Sequence, residues 1–242
     1  MIIQWKITFH PVSGHILYAD SAYRLYAFLL EQANPQDAAW LHEDGSRSIS
    51  QYLLFDKEKS CYIWTVNISS EEVYELLSPI LDNLSEIIIE NQTFSIADKA
   101  HCVISAEALI AKGRQSTQNR CTLSFRTPTS FKQSGRYAIF PQEKLILQSL
   151  ITRWNEAFPE FPLDGEDAFQ ALLAGIHIVD YQLKSTRFFL KGVKIPSFVG
   201  FCVIEAKLAL PLLELWTTLA AFADYSGIGI KTGLGMGGAS TS

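Results

Sequence analysis

The sequence predicts an α+β chain that runs through one arrangement twice, and three observations predict it. Strand-like runs rich in β-branched and aromatic residues alternate with segments of helical period. The alternation follows an approximate β-α-β-β-α-β order and begins again near residue 120. Between the two passes lies Ala111 to Arg120, where Gly113, Gln115, Ser116, Thr117, Gln118 and Asn119 give a linker-like composition. Each pass has the order of the ferredoxin-like motif. The expected division is a first domain over residues 1–115 and a second over 116–242, each large enough to bury a small core.

The elements are expected as follows. MIIQWKITF is a first strand. A helix covers Ser21 to Gln32, with Asp20 as N-cap and Ala22, Leu25, Phe28 and Leu29 on one face. A short helix opens at Asn34-Pro35, with Asn34 as cap and Pro35 in the first position, and runs to His42. The polar loop EDGSRS follows, then strands at Tyr52–Phe55 and Cys61–Ile68. Ser69 and Ser70, followed by Glu71, Glu72 and Glu75, open a helix to about Leu81. Two strands fit Ser85–Ile96 and His101–Ile110. In the second pass CTLSFRTP is a strand, and Pro141–Phe158 is a helix with Leu145, Leu147, Leu150, Ile151 and Trp154 apolar. His177–Leu190 and Val199–Ala206 are strands, and Leu210–Ala223 is a helix that tolerates Pro211 in its first turn.

Bulk properties exclude several classes. Of the 242 residues, 48% are hydrophobic and 19% charged, with no low-complexity tract, which argues against disorder. Cys61, Cys102, Cys121 and Cys202 are widely spaced, form no CxxC pair and sit in apolar runs, so buried free thiols are expected rather than a zinc site. The N-terminus lacks the pattern of a signal peptide, and no run of eighteen apolar residues exists, so a cytoplasmic protein without a membrane contact is expected. The net charge of −5 argues against nucleic acid, but its distribution argues for it. Ala108 to Gln142 contains no acid, yet holds Lys112, Arg114, Arg120, Arg126, Lys132 and Arg136. Tyr181 to Ile204 is also free of acids and holds Lys184, Arg187, Lys191 and Lys194. Such stretches suit either a polyanion or two solvated loops.

The C-terminus is the most distinctive segment. Gly227, Gly229, Gly233, Gly235, Gly237 and Gly238 fall within twelve residues, with Lys231 among them. Glycines at this density let backbone amides approach a phosphate, because no Cβ intervenes. A Walker A loop needs glycine directly before its Lys-Ser/Thr pair, but Ile230 precedes Lys231-Thr232. GLGMGG satisfies GxGxxG, but too few residues follow for a βαβ unit. A flexible tail is the competing reading. Ile228, Ile230, Leu234 and Met236 alternate with the glycines and favour ordered backbone instead.

The segment Tyr225–Gly238 resembles the glycine-rich signature of the RAMP superfamily of CRISPR proteins, and more narrowly the stand-alone repeat-RNA-processing endoribonucleases of type I and III systems. Leu123–Asn155 is similar to the opening of that family's second domain: a strand, TPT-F, a basic loop, then Phe-Pro and a helix. Lys191–Ala206 is similar to its Lys/Gly-containing hairpin. The resemblance covers nearly the whole chain and implies two tandem ferredoxin-like (RRM-like, RAMP) domains with a C-terminal glycine-rich loop. It also implies an endoribonuclease that binds CRISPR repeat RNA and cuts pre-crRNA without a metal or other cofactor. The products would be a 2′,3′-cyclic phosphate and a 5′-hydroxyl.

RNA carries its own nucleophile, the 2′-hydroxyl. The cut needs loss of the 2′ proton, charge relief on the phosphoryl oxygens and a proton for the 5′-oxygen, all of which side chains can supply. Histidine suits the proton transfers. His42 is the choice among five histidines: it ends the NPQDAAWLH helix, precedes a polar loop, and stands in the family-like run Asn34-Pro35, Leu41-His42-Glu43, Tyr52–Phe55. Capping a helix end is its bland alternative. His10 and His15 flank a turn and read as structural or RNA-facing, while His101 and His177 begin strands and read as satisfied surface or core groups. Arg47 is the choice for phosphoryl charge, although the family often places a lysine nearer Ser48. Some relatives carry a tyrosine on the first helix where this chain has Ala27. Tyr23 lies one turn earlier on the same face and Tyr26 about 100° around, so Tyr23 is assigned, with Arg24 as a substitute. RNA contacts are expected from Lys231, Gly229, Gly233 and Gly235, from Lys112, Arg114, Arg126, Lys132 and Arg136, and from Lys184, Arg187, Lys191 and Lys194. A CRISPR effector complex and a homodimer are possible further partners. Two other readings compete: a non-catalytic RAMP subunit holding guide RNA, which usually lacks a positioned histidine, and a generic RNA-recognition module, whose stacking aromatics only RYAIF (Arg136–Phe140) faintly matches.

Overall fold

The computed structural model of the chain describes residues 1–12, 15–43, 48–116 and 118–242. The first sheet has the order β2-β3-β1-β5-β4. It comprises β1 (Ile2–Phe9), β2 (Ile49–Asp56), β3 (Cys61–Ile68), β4 (Glu86–Ile89) and β5 (Gln92–Ile104). Its neighbouring strands pair antiparallel, with Ile3 opposite both Ile68 and Val103. Ile3, Trp5, Ile7 and Phe9 alternate along β1 onto the face that carries α1 (Ala22–Gln32) and α3 (Glu71–Asn83). There they join Leu25, Phe28, Leu29, Trp64, Leu77 and Leu81 in one core. Between α1 and β2 lies the short helix α2 (Pro35–Glu43).

The second sheet has the order β11-β6-β10-β9, formed by β6 (Arg120–Thr129), β9 (Ile176–Leu190), β10 (Val193–Ala206) and β11 (Ala239–Thr241). A small hairpin, β7 (Phe131–Gln133) with β8 (Arg136–Ala138), follows β6. Helices α5 (Glu143–Ala157), α6 (Glu166–Gly175) and α7 (Leu210–Ser226) pack on this sheet around Leu150, Trp154, Phe158, Phe198, Trp216 and Phe222. Leaving aside the added β4, both sheets read 4-1-3-2 in terms of the four strands of a β-α-β-β-α-β unit, which is the ferredoxin-like arrangement expected from the sequence.

Several local expectations change. Ser85–Ile96 is not one strand: the chain reverses at Glu90-Asn91, with φ of 52° and 62°, and so makes the β4–β5 hairpin. Two successive positive φ values are what a two-residue loop between right-twisted strands requires. The expected strand His101–Ile110 ends at Ile104, and α4 (Ala106–Gln115) begins, capped by Ser105, whose hydroxyl accepts the Ala108 N–H at 3.2 Å. This helix runs into the linker-like stretch. Gly113 serves packing there, since a Cβ would stand 2.1 Å from Thr218 Oγ1 of α7. Ala106 and Leu109 of α4, with Ile2 and Ile104, belong to the second core, so the two halves share it. Asp20 sits in a 3₁₀ turn before α1 rather than capping it. Of the four thiols, Cys61 and Cys202 are buried, Cys121 is half-buried and Cys102 is exposed, against the expectation for Cys102.

Candidate active site

The end of α2 is fixed by two contacts. Asn34 Oδ1 accepts the N–H groups of Gln36 (3.1 Å) and Asp37 (3.0 Å), closing the first turn as expected. At the other end Leu41 is fully buried, and its carbonyl accepts the Tyr26 hydroxyl at 2.9 Å. The next residue, His42, is exposed and faces a cleft of about 590 Å³. Tyr26 lines the same cleft, and burial pushes its hydroxyl up to about 12, so it stays a neutral donor. Tyr26, rather than the expected Tyr23, is the tyrosine that lines the cleft. Tyr23, nearly one turn earlier on α1, packs instead in a small apolar cluster with Phe188, Leu190, Ile195 and Met236, while its hydroxyl accepts Arg24 Nε at 3.2 Å.

The opposite wall comes from the second half: Phe131 and Lys132, one face of α5, and the turn Gly229–Leu234. The glycine-rich segment is ordered backbone with its hydrogen bonds largely spent on the protein. The Gly229 N–H goes to Ser149 Oγ (2.9 Å), that of Ile230 to the Ser130 carbonyl (3.0 Å) and that of Gly235 to the Thr232 carbonyl (3.3 Å). Those of Gly237 and Gly238 go to the Pro128 carbonyl (3.1 Å) and Thr127 Oγ1 (2.9 Å). Gly229 must be glycine: its φ is +89°, and a Cβ would stand 2.4 Å from the Ser130 carbonyl oxygen. Among the described residues, the N–H groups of Lys231, Thr232 and Gly233 have no protein acceptor. Of the three glycines expected to offer amides, only Gly233 therefore has one to offer. Lys231 is exposed at this turn and holds a left-handed conformation (φ 56°, ψ 36°), a costly choice for a side-chain-bearing residue.

Two residues that the sequence reading did not single out hold this turn. Gln51, buried on β2, donates through Nε2 to the carbonyls of Ala22 (2.8 Å) and Gly233 (3.1 Å), and its Oε1 accepts Trp64 Nε1 at 2.8 Å. Arg153 on α5 donates from Nη2 to the Gly229 carbonyl at 3.3 Å. Their signal was faint, because polar residues inside a strand and a helix are normally assigned to solvent.

The basic residues distribute unevenly. Lys132 lines the cleft, and Arg126 lies on the preceding strand β6, its backbone N–H donating to the Gly238 carbonyl at 2.7 Å. Arg136 is exposed on β8. Lys184, Arg187, Lys191 and Lys194 are exposed on the β9–β10 hairpin, whose two-residue turn Lys191-Gly192 has φ of 48° and 82°. The hairpin's apolar end meets Met236, Ile230 and Leu234 of the glycine-rich segment. Lys112 instead lines a different hollow of about 150 Å³, and Arg114 pairs with Glu214 at 3.7 Å, so neither joins the cleft. Arg47 lies outside the described residues.

Comparison with known proteins agrees along the chain. The family model for CRISPR-associated endoribonuclease Cas6 matches residues 123–239. A CRISPR-associated endoribonuclease Cas6 of Streptococcus thermophilus is 27% identical over 240 residues, which cover 98% of this chain and 96% of the relative. One of Mycobacterium tuberculosis is 25% identical over 225 residues, 88% of this chain and 69% of the relative. Among solved structures, Thermus thermophilus Cas6 superposes with a TM-score of 0.81 at 22% identity, covering 100% of this chain and 98% of that one. A structure described as a RAMP protein binding different RNA substrates superposes with a TM-score of 0.60 at 15% identity, over 99% of both chains. The second half of the chain thus matches the Cas6 family model, and nearly the whole chain is similar in sequence and in fold to CRISPR-associated endoribonucleases Cas6.

Proposed function

We propose that this endoribonuclease binds CRISPR repeat RNA and cuts pre-crRNA within each repeat, without a metal or cofactor, by attack of the 2′-hydroxyl on the neighbouring phosphorus. The products are a 2′,3′-cyclic phosphate and a 5′-hydroxyl. The observation that carries the reading is the single cleft in which His42 stands on the wall from the first half and Lys231 on the wall from the second. His42 moves the proton. Lys231 and the three N–H groups at 231–233, which have no acceptor among the described residues, meet the phosphate, since successive free amides make an anion-binding turn. Tyr26 stays protonated and fixes the carbonyl preceding His42, so its role is to aim the histidine. Arg47 keeps its proposed part in phosphoryl charge relief. Relatives solved as product and substrate-mimic complexes support an RNA ligand in this fold.

The labour is divided between residues 1–115, which carry the histidine, and 116–242, which carry the glycine turn and the basic hairpin. That hairpin, with Lys184, Arg187, Lys191 and Lys194, extends the phosphate-contacting surface beyond the cleft and makes affinity depend on salt. A cytoplasmic location, a homodimer and hand-over of product to a CRISPR effector complex belong to the same reading.

The test is cleavage of labelled repeat RNA in EDTA by wild type and His42→Ala, with a second substrate bearing one 2′-deoxy at the cut. Cleavage by wild type alone, on the ribose substrate alone, is expected. Binding without any cleavage by wild type would replace the reading with that of a guide-RNA-holding subunit.

A further inference from the structure

We infer that Arg153 is a second phosphate-binding cation of the cleft, one that contacts the phosphate being cut. The inference rests on the proposed cleavage reading and adds a residue that the sequence alone did not offer.

Arg153 stands at the middle of α5, one turn beyond Ser149, on the face that lines the cleft with His42 and Lys231. Ser149 holds the Gly229 N–H and Arg153 holds the Gly229 carbonyl, the latter by a long contact of 3.3 Å. Holding one carbonyl needs one neutral donor. A guanidinium brings five donors and a full charge. Among the described residues no other acceptor lies within hydrogen-bond distance of Arg153, and no carboxylate lies within 4.0 Å. The ion pairs of the other cations go to Glu90, Glu205 and Glu214.

Glu156, one turn along α5, attracts Arg153 only at longer range. Burial acts in the opposite direction and lowers the guanidinium from its ordinary value. A half-buried cation with no carboxylate within 4.0 Å is costly, and an apolar residue of the same size would pack the helix more cheaply. Its presence in the same cleft as the proposed general base has a chemical use. When the 2′-oxygen bonds to phosphorus and the P–O5′ bond breaks, negative charge gathers on the non-bridging oxygens. The 2′ proton leaves to a base and the 5′-oxygen receives one. Arg153 keeps all its protons and donates hydrogen bonds to those oxygens.

The test uses the full chain and repeat RNA, with Arg153→Gln as the main variant, because glutamine keeps a donor for Gly229 and removes the charge. Ser149→Ala serves as the control that loosens the same glycine without touching charge. Two quantities are read: the single-turnover cleavage rate, and the slope of log Kd against log salt for RNA with a 2′-deoxy at the cut. Arg153→Gln is expected to slow cleavage about 100-fold or more, as loss of one transition-state donor does. It should also reduce the salt slope by about 0.7, the value of one phosphate contact on single-stranded RNA. Ser149→Ala should leave the slope unchanged. If Arg153 only holds the loop, the two variants will slow cleavage alike with the slope intact, and the inference fails. Arg153→Lys, with the charge restored, should recover the slope even if Arg153→Gln folds poorly; an unrestored slope would also overturn the inference. Absence of cleavage by wild type would sink the nuclease reading alone, because the slope is measured on uncut RNA.

Discussion

Replacing Gln51 by leucine tests how the glycine turn is held in place. The side chain is 1% exposed and makes three hydrogen bonds, two as donor and one as acceptor. Leucine has similar volume, so packing is kept while the polar contacts go. Trp64 Nε1 then has no acceptor and the Gly233 carbonyl no donor, whereas the Ala22 carbonyl still has its helical partner within α1. A stranded buried group costs about 1–3 kcal/mol, so two of them, allowing for relaxation, cost roughly 3 kcal/mol. In a chain of this size 1 kcal/mol moves Tm by about 2–4 °C, which predicts a fall of roughly 6–12 °C in a thermal melt followed by circular dichroism. Gln51→Glu should be no better: its carboxylate still accepts from Trp64 but faces two carbonyl oxygens with no hydrogen to offer. Cleavage should fall more than RNA affinity, because Gly233 belongs to the proposed phosphate turn while most basic residues lie elsewhere. A leucine variant melting within 2 °C of wild type would refute the claim that this glutamine ties the two halves together.

Other outcomes follow from the same geometry. Gly229→Ala puts a Cβ against the Ser130 carbonyl at positive φ; it should cost about 2 kcal/mol or more and abolish cleavage, read by urea unfolding and the repeat-RNA assay. Tyr26→Phe removes the hydroxyl bonded to Leu41; it should cost about 1 kcal/mol and slow cleavage while leaving RNA affinity within a factor of two, as read by filter binding. Tyr26 titrates near 12 when folded and near 10 when unfolded, so above pH 10 the unfolded state loses its proton first. Stability should fall between pH 10 and 12 by up to about 2.7 kcal/mol relative to Tyr26→Phe, and equal alkaline unfolding of the two proteins would contradict the buried hydroxyl.

Much of this was legible from residue order. Apolar periodicity marked β1, β3, β6 and β9 and the helices α1, α5 and α7, and Asn34-Pro35 marked the start of α2 and hence the placement of His42. The β4–β5 reversal was not legible, because Glu90-Asn91 lacks the glycine that usually announces a two-residue hairpin turn and Ile87–Ile89 and Phe94 merge into one apolar run. Helix α4 hid in the same way: Ala106–Ile110 continues the apolar character of β5, and only Ser105 with its cap signals the switch. Arg153 and Gln51 were invisible for a different reason. A sequence shows that a polar residue falls on a helix or strand, but which polar residues are turned inward depends on the second layer that covers them.

That second layer also explains why the site needs both halves. His42 is aimed from the first core, through Leu41 and Tyr26. Lys231, Ser149 and Arg153 are aimed from the second, through α5 and the end of β6. Among the described residues, three kinds of contact help set one wall against the other: the Gln51 hydrogen bonds, the apolar cluster of Tyr23 with the β9–β10 hairpin and Met236, and the packing of Ile2, Ile104 and α4 into the second core. Each positions backbone rather than a reactive group. The cluster that absorbs Tyr23 also seats the basic hairpin against the glycine turn. A pull of bound RNA on the hairpin therefore reaches Met236, Ile230 and Leu234, and with them the turn that carries Lys231. Weakening that cluster by Ile195→Ala should lower the cleavage rate without changing the hairpin's charge. An unchanged rate would mean that the hairpin grips RNA independently of the site.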